Sequence, residues 1–133
     1  MSGLVALQAI ADPARGTLVV MEARRQVPFD FPRIFMLCDV PKGAMRGDHA
    51  HRGQHQLLVV TAGAFDVATE DRGGRRQYRL DSPKVGLHVP PLTWVTMHAA
   101  VAGSTCIVLT SALYDEADYI RDRAEFERLL AGG

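Results

Sequence analysis

From Gly16 to Ser111 the chain is a succession of short runs of β-branched, aliphatic and aromatic residues, each broken off by a glycine or proline turn. Runs of about five to eight residues are too short for independent helices but match ordinary strands. The runs predict strands over Gly16–Ala23, Arg33–Val40, Gln56–Ala62, Ala64–Thr69, Arg75–Leu80, Val85–Val89, Trp94–His98 and Thr105–Ser111. Asp71-Arg72-Gly73-Gly74 is a hairpin turn, because glycine accepts the positive φ that tight turns require. Pro90-Pro91 ends a strand, since proline cannot donate to a ladder. Many short strands joined by close turns predict an all-β sandwich or barrel.

The periodicity changes near the end. Between Asp115 and Leu130, Tyr119, Phe126 and Leu130 recur at helical spacing, with Ile120 and Ala124 nearby. Asp115 or Asp118 can cap the start, and Arg128 in the last turn suits the helix dipole. This segment is expected to form one helix, or two short ones, anchored on the β-structure by Tyr114 and Tyr119. A length of 133 residues fits one domain, spanning 1–133.

Acidic and basic residues balance at 15 each. That argues against nucleic-acid or anionic-membrane partners, which select positive excess, but leaves room for a local basic pocket for one phosphorylated ligand. Cys38 and Cys106 lie far apart in apolar runs and read as small buried residues, not as a disulfide. The stretch from Met1 to Gly16 has no basic patch ahead of its apolar residues, and no apolar run approaches the ~20 residues of a membrane span. A cytoplasmic location is expected.

Chemistry concentrates in Arg46-Gly47-Asp48-His49-Ala50-His51 and the following His55-Gln56. If His49-Ala50-His51 is extended, both imidazoles leave the same face of the strand. Two imidazoles aimed into one cavity can hold a metal, or one can take a proton while the other positions or returns it. A strict strand puts Arg46 on the opposite face. It reaches the histidines only if Gly47 bends or bulges the chain.

The spacing Gly43-x5-His49-x-His51, followed by Gly63, resembles the first motif of the cupin superfamily. The glutamate expected in metal-binding cupins is replaced here by His55 and Gln56. The second motif's histidine has no counterpart in Pro90-Pro91-Leu92-Thr93-Trp94-Val95-Thr96. Several further segments sharpen the likeness. They are Asp39-Val40-Pro41-Lys42-Gly43, Leu80-Asp81-Ser82-Pro83, Gly86-Leu87-His88-Val89-Pro90-Pro91, and Tyr114 through Asp122 with its Asp118-Tyr119-Ile120-Arg121 core. Together with the Arg46–Arg52 segment, these resemble the sugar 3,4-ketoisomerase family, also found as a WxcM-like domain, over about Gly16 to Phe126.

The resemblance implies a cupin jelly-roll barrel with a short C-terminal helical segment, a homodimer with exchanged strands, and no metal or other cofactor. It also implies a dTDP-linked 4-keto-6-deoxy sugar as substrate. His49 and His51 become active-site residues, with Arg46 beside them. The family often has tyrosines in the strand before Asp-Val-Pro, and one of them serves the active site; Arg33-Ile34-Phe35-Met36-Leu37-Cys38 has none.

The chemistry suits these residues. A C4 ketone acidifies the C3 hydrogen; its removal gives an enediolate, and protonation at C4 leaves the carbonyl at C3. His51 is expected to act as base at C3 and His49 as its partner. Arg46 would meet the enediolate or a phosphate. Gln56 would bond a sugar hydroxyl or orient a histidine, Arg33 and Arg121 would meet the pyrophosphate, and Trp94 would stack on a base or sugar or pack in the core. Three alternatives stand beside this reading: a metal-dependent small cupin using His49, His51, His55 or His98; a non-catalytic nucleotide-sugar binder; and a related epimerase.

Overall fold

The computed structural model describes residues 1–132. Twelve strands carry the chain: β1 (Gly3–Ala6), β2 (Gln8–Asp12), β3 (Gly16–Val20), β4 (Arg33–Val40), β5 (Met45–His51), β6 (Gln56–Ala62), β7 (Phe65–Asp71), β8 (Gly74–Leu80), β9 (Val85–Val89), β10 (Trp94–Ala99), β11 (Ser104–Thr110) and β12 (Tyr119–Ile120). One helix, α1 (Arg123–Gly132), follows. Two five-stranded sheets, ordered β1-β9-β6-β11-β4 and β12-β5-β10-β7-β8, face one another as a jelly roll that stays open along its edges. The pairings of these strands are antiparallel.

The continuous apolar run of β6 has a simple cause. Leu58 and Val60 face the core between the sheets, with Phe65, Val67, Leu87, Val89, Val95, Met97 and Val108. Leu57 and Val59 face the other way, into a second cluster where Leu7, Val27 and Phe29 cover the sheet from outside. A strand buried on both faces needs no polar alternation.

Expected strands over Arg33–Val40, Gln56–Ala62 and Val85–Val89 match the observed bounds, and most others differ by one or two residues at an end. The first run is shorter than expected, ending at Val20, where it pairs with β2 as a hairpin joined to no other strand. Cys106 is buried, which pushes its thiol up to about 12, but Cys38 is exposed on the edge strand β4, contrary to its apolar setting in sequence.

The segment after Asp115 is the larger correction. Asp115 caps only a single 3-10 turn, Glu116–Asp118, by accepting from the Ala117 backbone N–H. Tyr119 and Ile120 then extend and pair with His51 and Ala50 at the edge of β5. The α-helix starts at Arg123, where Asp122 accepts from the Ala124 N–H. Tyr114 does not anchor a helix; it is exposed, with its hydroxyl donating to Glu116. Pairing β12 to β5 satisfies backbone groups and buries Ile120 against Ala50, Trp94 and Phe126, which outweighs the helical spacing of Tyr119 and Phe126.

Candidate active site

β5 builds the site, and a bulge aims it. Gly47 and Asp48 both adopt positive φ, and the β5–β10 register shifts so that Val95 opposes His49 while Thr96 opposes Gly47. Asp48 is the extra residue. The bulge turns Arg46 to the side of the histidines, as the parity argument required, and both Arg46 and His49 line one cavity. A Cβ on Gly47 would sit 2.9 Å from the Val95 carbonyl oxygen, so the position also demands a small residue.

The cavity, about 340 Å³, opens between the sheets. Its apolar wall comes from Phe35 and Leu37 of β4, Leu58, Val95, Met97 and Val108; its polar wall from Arg46, His49, Gln56, Tyr119 and Arg121. The size suits a small-molecule ligand. The β4 positions that carry no tyrosine hold Phe35 and Leu37, which face this space.

His49 and His51 lie edge to face, with ring centroids 5.1 Å apart. Tyr119 covers both, at 4.9 Å from His49 and 4.3 Å from His51. His51 is only 4% exposed. Its Nδ1 lies 3.0 Å from Asp118 Oδ2, and its Nε2 lies 3.4 Å from the amide nitrogen of Gln56, a residue of the cavity wall. Burial, and next the neighbouring His51, push His49 down to about 4. Burial also lowers His51, against the opposing pull of Asp118. Both rings are therefore neutral near pH 7, the state a proton acceptor needs.

The arginines surround the mouth. Arg121 packs over Tyr119 at 4.2 Å and is ion-paired with Glu116 at 2.8 Å. Arg33 lies over Phe35 at 4.7 Å and Tyr114 at 5.4 Å, next to the cavity. Trp94 is elsewhere. Val95 and Met97 of β10 face the cavity, so Trp94 faces the opposite side, where it packs on Phe126 at 5.3 Å and donates to Asp48 Oδ1 at 3.2 Å. Of the two sequence expectations for Trp94, packing under the terminal helix is the one seen.

The other histidines do not join the pair. His55 stacks on His88, with centroids 5.2 Å apart, beside Phe29, a residue of the outer apolar cluster. His98 is exposed on β10 and opposes Asp66. Among the described residues, no group of three or more His, Cys, Asp or Glu side chains is arranged to hold a metal ion. Of the histidines considered for the metal-binding alternative, His55 and His98 stand apart from His49 and His51.

Asp118 and Tyr119 were not expected at the site. Their signal was present in the Asp118-Tyr119-Ile120-Arg121 segment, but helical spacing concealed that this segment folds back onto β5.

An open jelly roll with a His-x-His pair backed by a carboxylate, beside a cavity lined by Arg46 and Arg121, is a cupin-type fold and site. The chain belongs to the family described as FdtA: WxcM-like, C-terminal, whose model matches residues 2–131. It is 37% identical over 118 residues to TDP-4-oxo-6-deoxy-alpha-D-glucose-3,4-oxoisomerase of Aneurinibacillus thermoaerophilus, covering 89% of this chain and 85% of that one. The structure superposes, with TM-score 0.93 and 30% identity, on a histidine-to-asparagine variant of the 3,4-ketoisomerase QdtA from Thermoanaerobacterium thermosaccharolyticum in complex with TDP-4-keto-6-deoxyglucose, covering 98% and 94% of the two chains. It likewise matches the WlaRB TDP-quinovose 3,4-ketoisomerase of Campylobacter jejuni, with TM-score 0.90, 33% identity and coverage of 96% and 97%.

Proposed function

We propose that this chain moves the keto group of a dTDP-linked 4-keto-6-deoxy hexose from C4 to C3 by histidine acid–base chemistry. The observation that carries the reading is the mutually packed His49–His51 pair in this family's fold, with His49 on the cavity wall and His51 directly behind it, held by Asp118. His51 takes the C3 hydrogen as a proton, and charge spreads onto the C4 oxygen. A proton is delivered to C4, the proton of the C3 hydroxyl passes to the C4 oxygen, and the carbonyl stands at C3. Hydrogen is relocated and no electrons leave the sugar.

Arg46, on the cavity wall with His49, stabilises the enediolate or a phosphate oxygen. Arg33 and Arg121 flank the route for the pyrophosphate, and Gln56 bonds a sugar hydroxyl when substrate displaces its long contact to His51. Positioned acid–base catalysis supplies about 10²–10⁴ in rate, and each well-placed oxyanion donor about 10²–10³.

The test is His51→Asn, incubated with dTDP-4-keto-6-deoxyglucose in deuterated water. Loss of deuterium uptake at C3 is expected; undiminished uptake would refute the base assignment. His49 faces the cavity more openly than His51, so His49→Asn is measured beside it. Uptake at C3 retained with product lost assigns His49 to delivery at C4, whereas uptake lost only in His49→Asn exchanges the two roles. NMR of the product separates isomerisation from epimerisation.

The working form is a homodimer. β4 is an edge strand whose outward residues Ile34 and Met36 are 54% and 56% exposed while its inward ones line the cavity. Ile10 and Leu18 of the detached β2–β3 hairpin are 50% and 61% exposed. An edge strand apolar on both faces is a surface for a second copy. The terminal β1, held only by β9, is the strand best placed for exchange. Sedimentation at twice the chain mass supports the dimer, and Ile34→Glu with Met36→Glu should give a monomer. A cytoplasmic setting fits a chain in which, among the described residues, no helix is long and apolar enough to cross a membrane. Fractionation of cells expressing it would test that. One cupin domain over 1–133 accounts for both sheets, and limited proteolysis should leave that core intact.

A further inference from the structure

The Asp118 carboxylate is held by three partners. Its Oδ1 accepts from the Gly53 backbone N–H at 2.8 Å, and its Oδ2 accepts from the Gln54 N–H at 3.2 Å while meeting His51 Nδ1 at 3.0 Å. Its own carbonyl accepts from the Arg52 N–H at 2.8 Å, and the next two residues pair with β5. A carboxylate with these partners has no freedom to rotate away from the imidazole.

We infer that Asp118 is the positioning residue for His51, holding the ring as the Nδ1–H tautomer so that the basic lone pair lies on Nε2, facing Gln56 of the cavity wall. The inference deepens the reading of His51 as the proton acceptor and rests on it. An ionised carboxylate can only accept, so the ring nitrogen facing it carries the hydrogen. At the opposite edge stands the Gln56 amide nitrogen, which can only donate, so Nε2 offers a lone pair. Of the two neutral tautomers, Nδ1–H alone satisfies both neighbours. At 3.4 Å the Gln56 contact is long and easily surrendered to substrate.

Asp118 also faces the charge that forms when the ring takes a proton. The other titratable or charged groups acting on His51 are His49 on β5, Tyr119 on β12, Arg33 on β4 and Arg121 just after β12. Both arginines oppose protonation, and Asp118 is the one carboxylate favouring it. Without Asp118 the ring would be a weaker base in the same place.

The test is Asp118→Asn, with Asp118→Glu as the conservative variant. The asparagine amide can donate to Nδ1 and turn the ring to the Nε2–H tautomer. A loss of about 10²–10⁴ in kcat is expected, the scale of positioned acid–base catalysis, with KM little changed. The acid limb of kcat/KM should move to lower pH, because the group that raises His51 is gone. Asp118→Glu should recover part of the activity and move the limb back.

A nitrogen-15 spectrum of histidine-labelled protein reads the tautomer directly, with the His51 signals assigned by their absence in His51→Asn. Wild type should show protonated Nδ1 and bare Nε2, and Asp118→Asn the reverse. Bare Nδ1 in wild type would overturn the inference. So would an Asp118→Asn enzyme that loses activity only in step with its melting temperature, with an unmoved pH profile. Should His51→Asn keep full C3 exchange while wild type shows the Nδ1–H tautomer, the base reading falls and the tautomer assignment stands.

Discussion

Replacing Gly47 by alanine tests whether the β5 bulge aims the site. Two costs add. Alanine at φ +84 occupies the left-handed region, at roughly 1–2 kcal/mol. Its Cβ would meet the Val95 carbonyl oxygen at 2.9 Å, and that backbone atom belongs to the central β5–β10 pairing, so relief requires the ladder itself to shift, at about 1–3 kcal/mol. Together they predict a loss of about 2–5 kcal/mol, or about 8–20 °C in Tm for a chain of this size.

Gly43→Ala separates the terms, because Gly43 has φ +82 but nothing within 4 Å of its Cβ position. It should lose only the conformational part. Any shift of the ladder moves Arg46 and His49 together, and a displacement of about 1 Å can cost about 10²-fold in rate. Denaturant unfolding and kcat/KM are measured on both variants. A Gly47→Ala protein as stable as Gly43→Ala, with wild-type kcat/KM, would refute the claim that this bulge is sterically required and aims the catalytic side chains.

Three further outcomes follow from the same contacts. Trp94→Phe removes the indole donor to Asp48 and should cost about 1 kcal/mol with KM unchanged; a large rise in KM would return Trp94 to the substrate. Phe126→Ala empties a fully buried position against Ile120 and Trp94, so chemical denaturation should show a loss of about 3–5 kcal/mol, with kcat falling as β12 loosens. The folded protein holds His49 at about 4, below the ordinary histidine value of about 6.5, so the unfolded chain takes up its proton first as pH falls. Stability present above about 6.5 should therefore decline toward about 4, and melts across this window should fall less steeply for His49→Asn than for wild type.

Local sequence carried the strands well, because a run such as Arg33–Val40 shows its β-propensity and its ends directly. The His49-Ala50-His51 spacing placed two rings on one face from strand parity alone, and the misfit of Arg46 pointed to the bulge at Gly47. Helical periodicity misled at Tyr119, where ladder pairing with His51 prevailed over spacing. Asp118 was legible as a helix cap and as part of a family segment but not as a partner of His51, which lies 67 residues away with no local rule to connect them.

The sequence by itself determined most of the strands between Gly16 and Thr110 and which residues of each share a face, because both depend on neighbours along the chain. Tertiary structure alone decided that His55, His88 and His98 stand apart from the pair, that Trp94 lies under α1, and that Asp118 and Tyr119 complete the site. Those outcomes depend on which strands pair across the two sheets and on where the terminal segment finds donors and apolar cover, energies that arise only between distant parts of the chain.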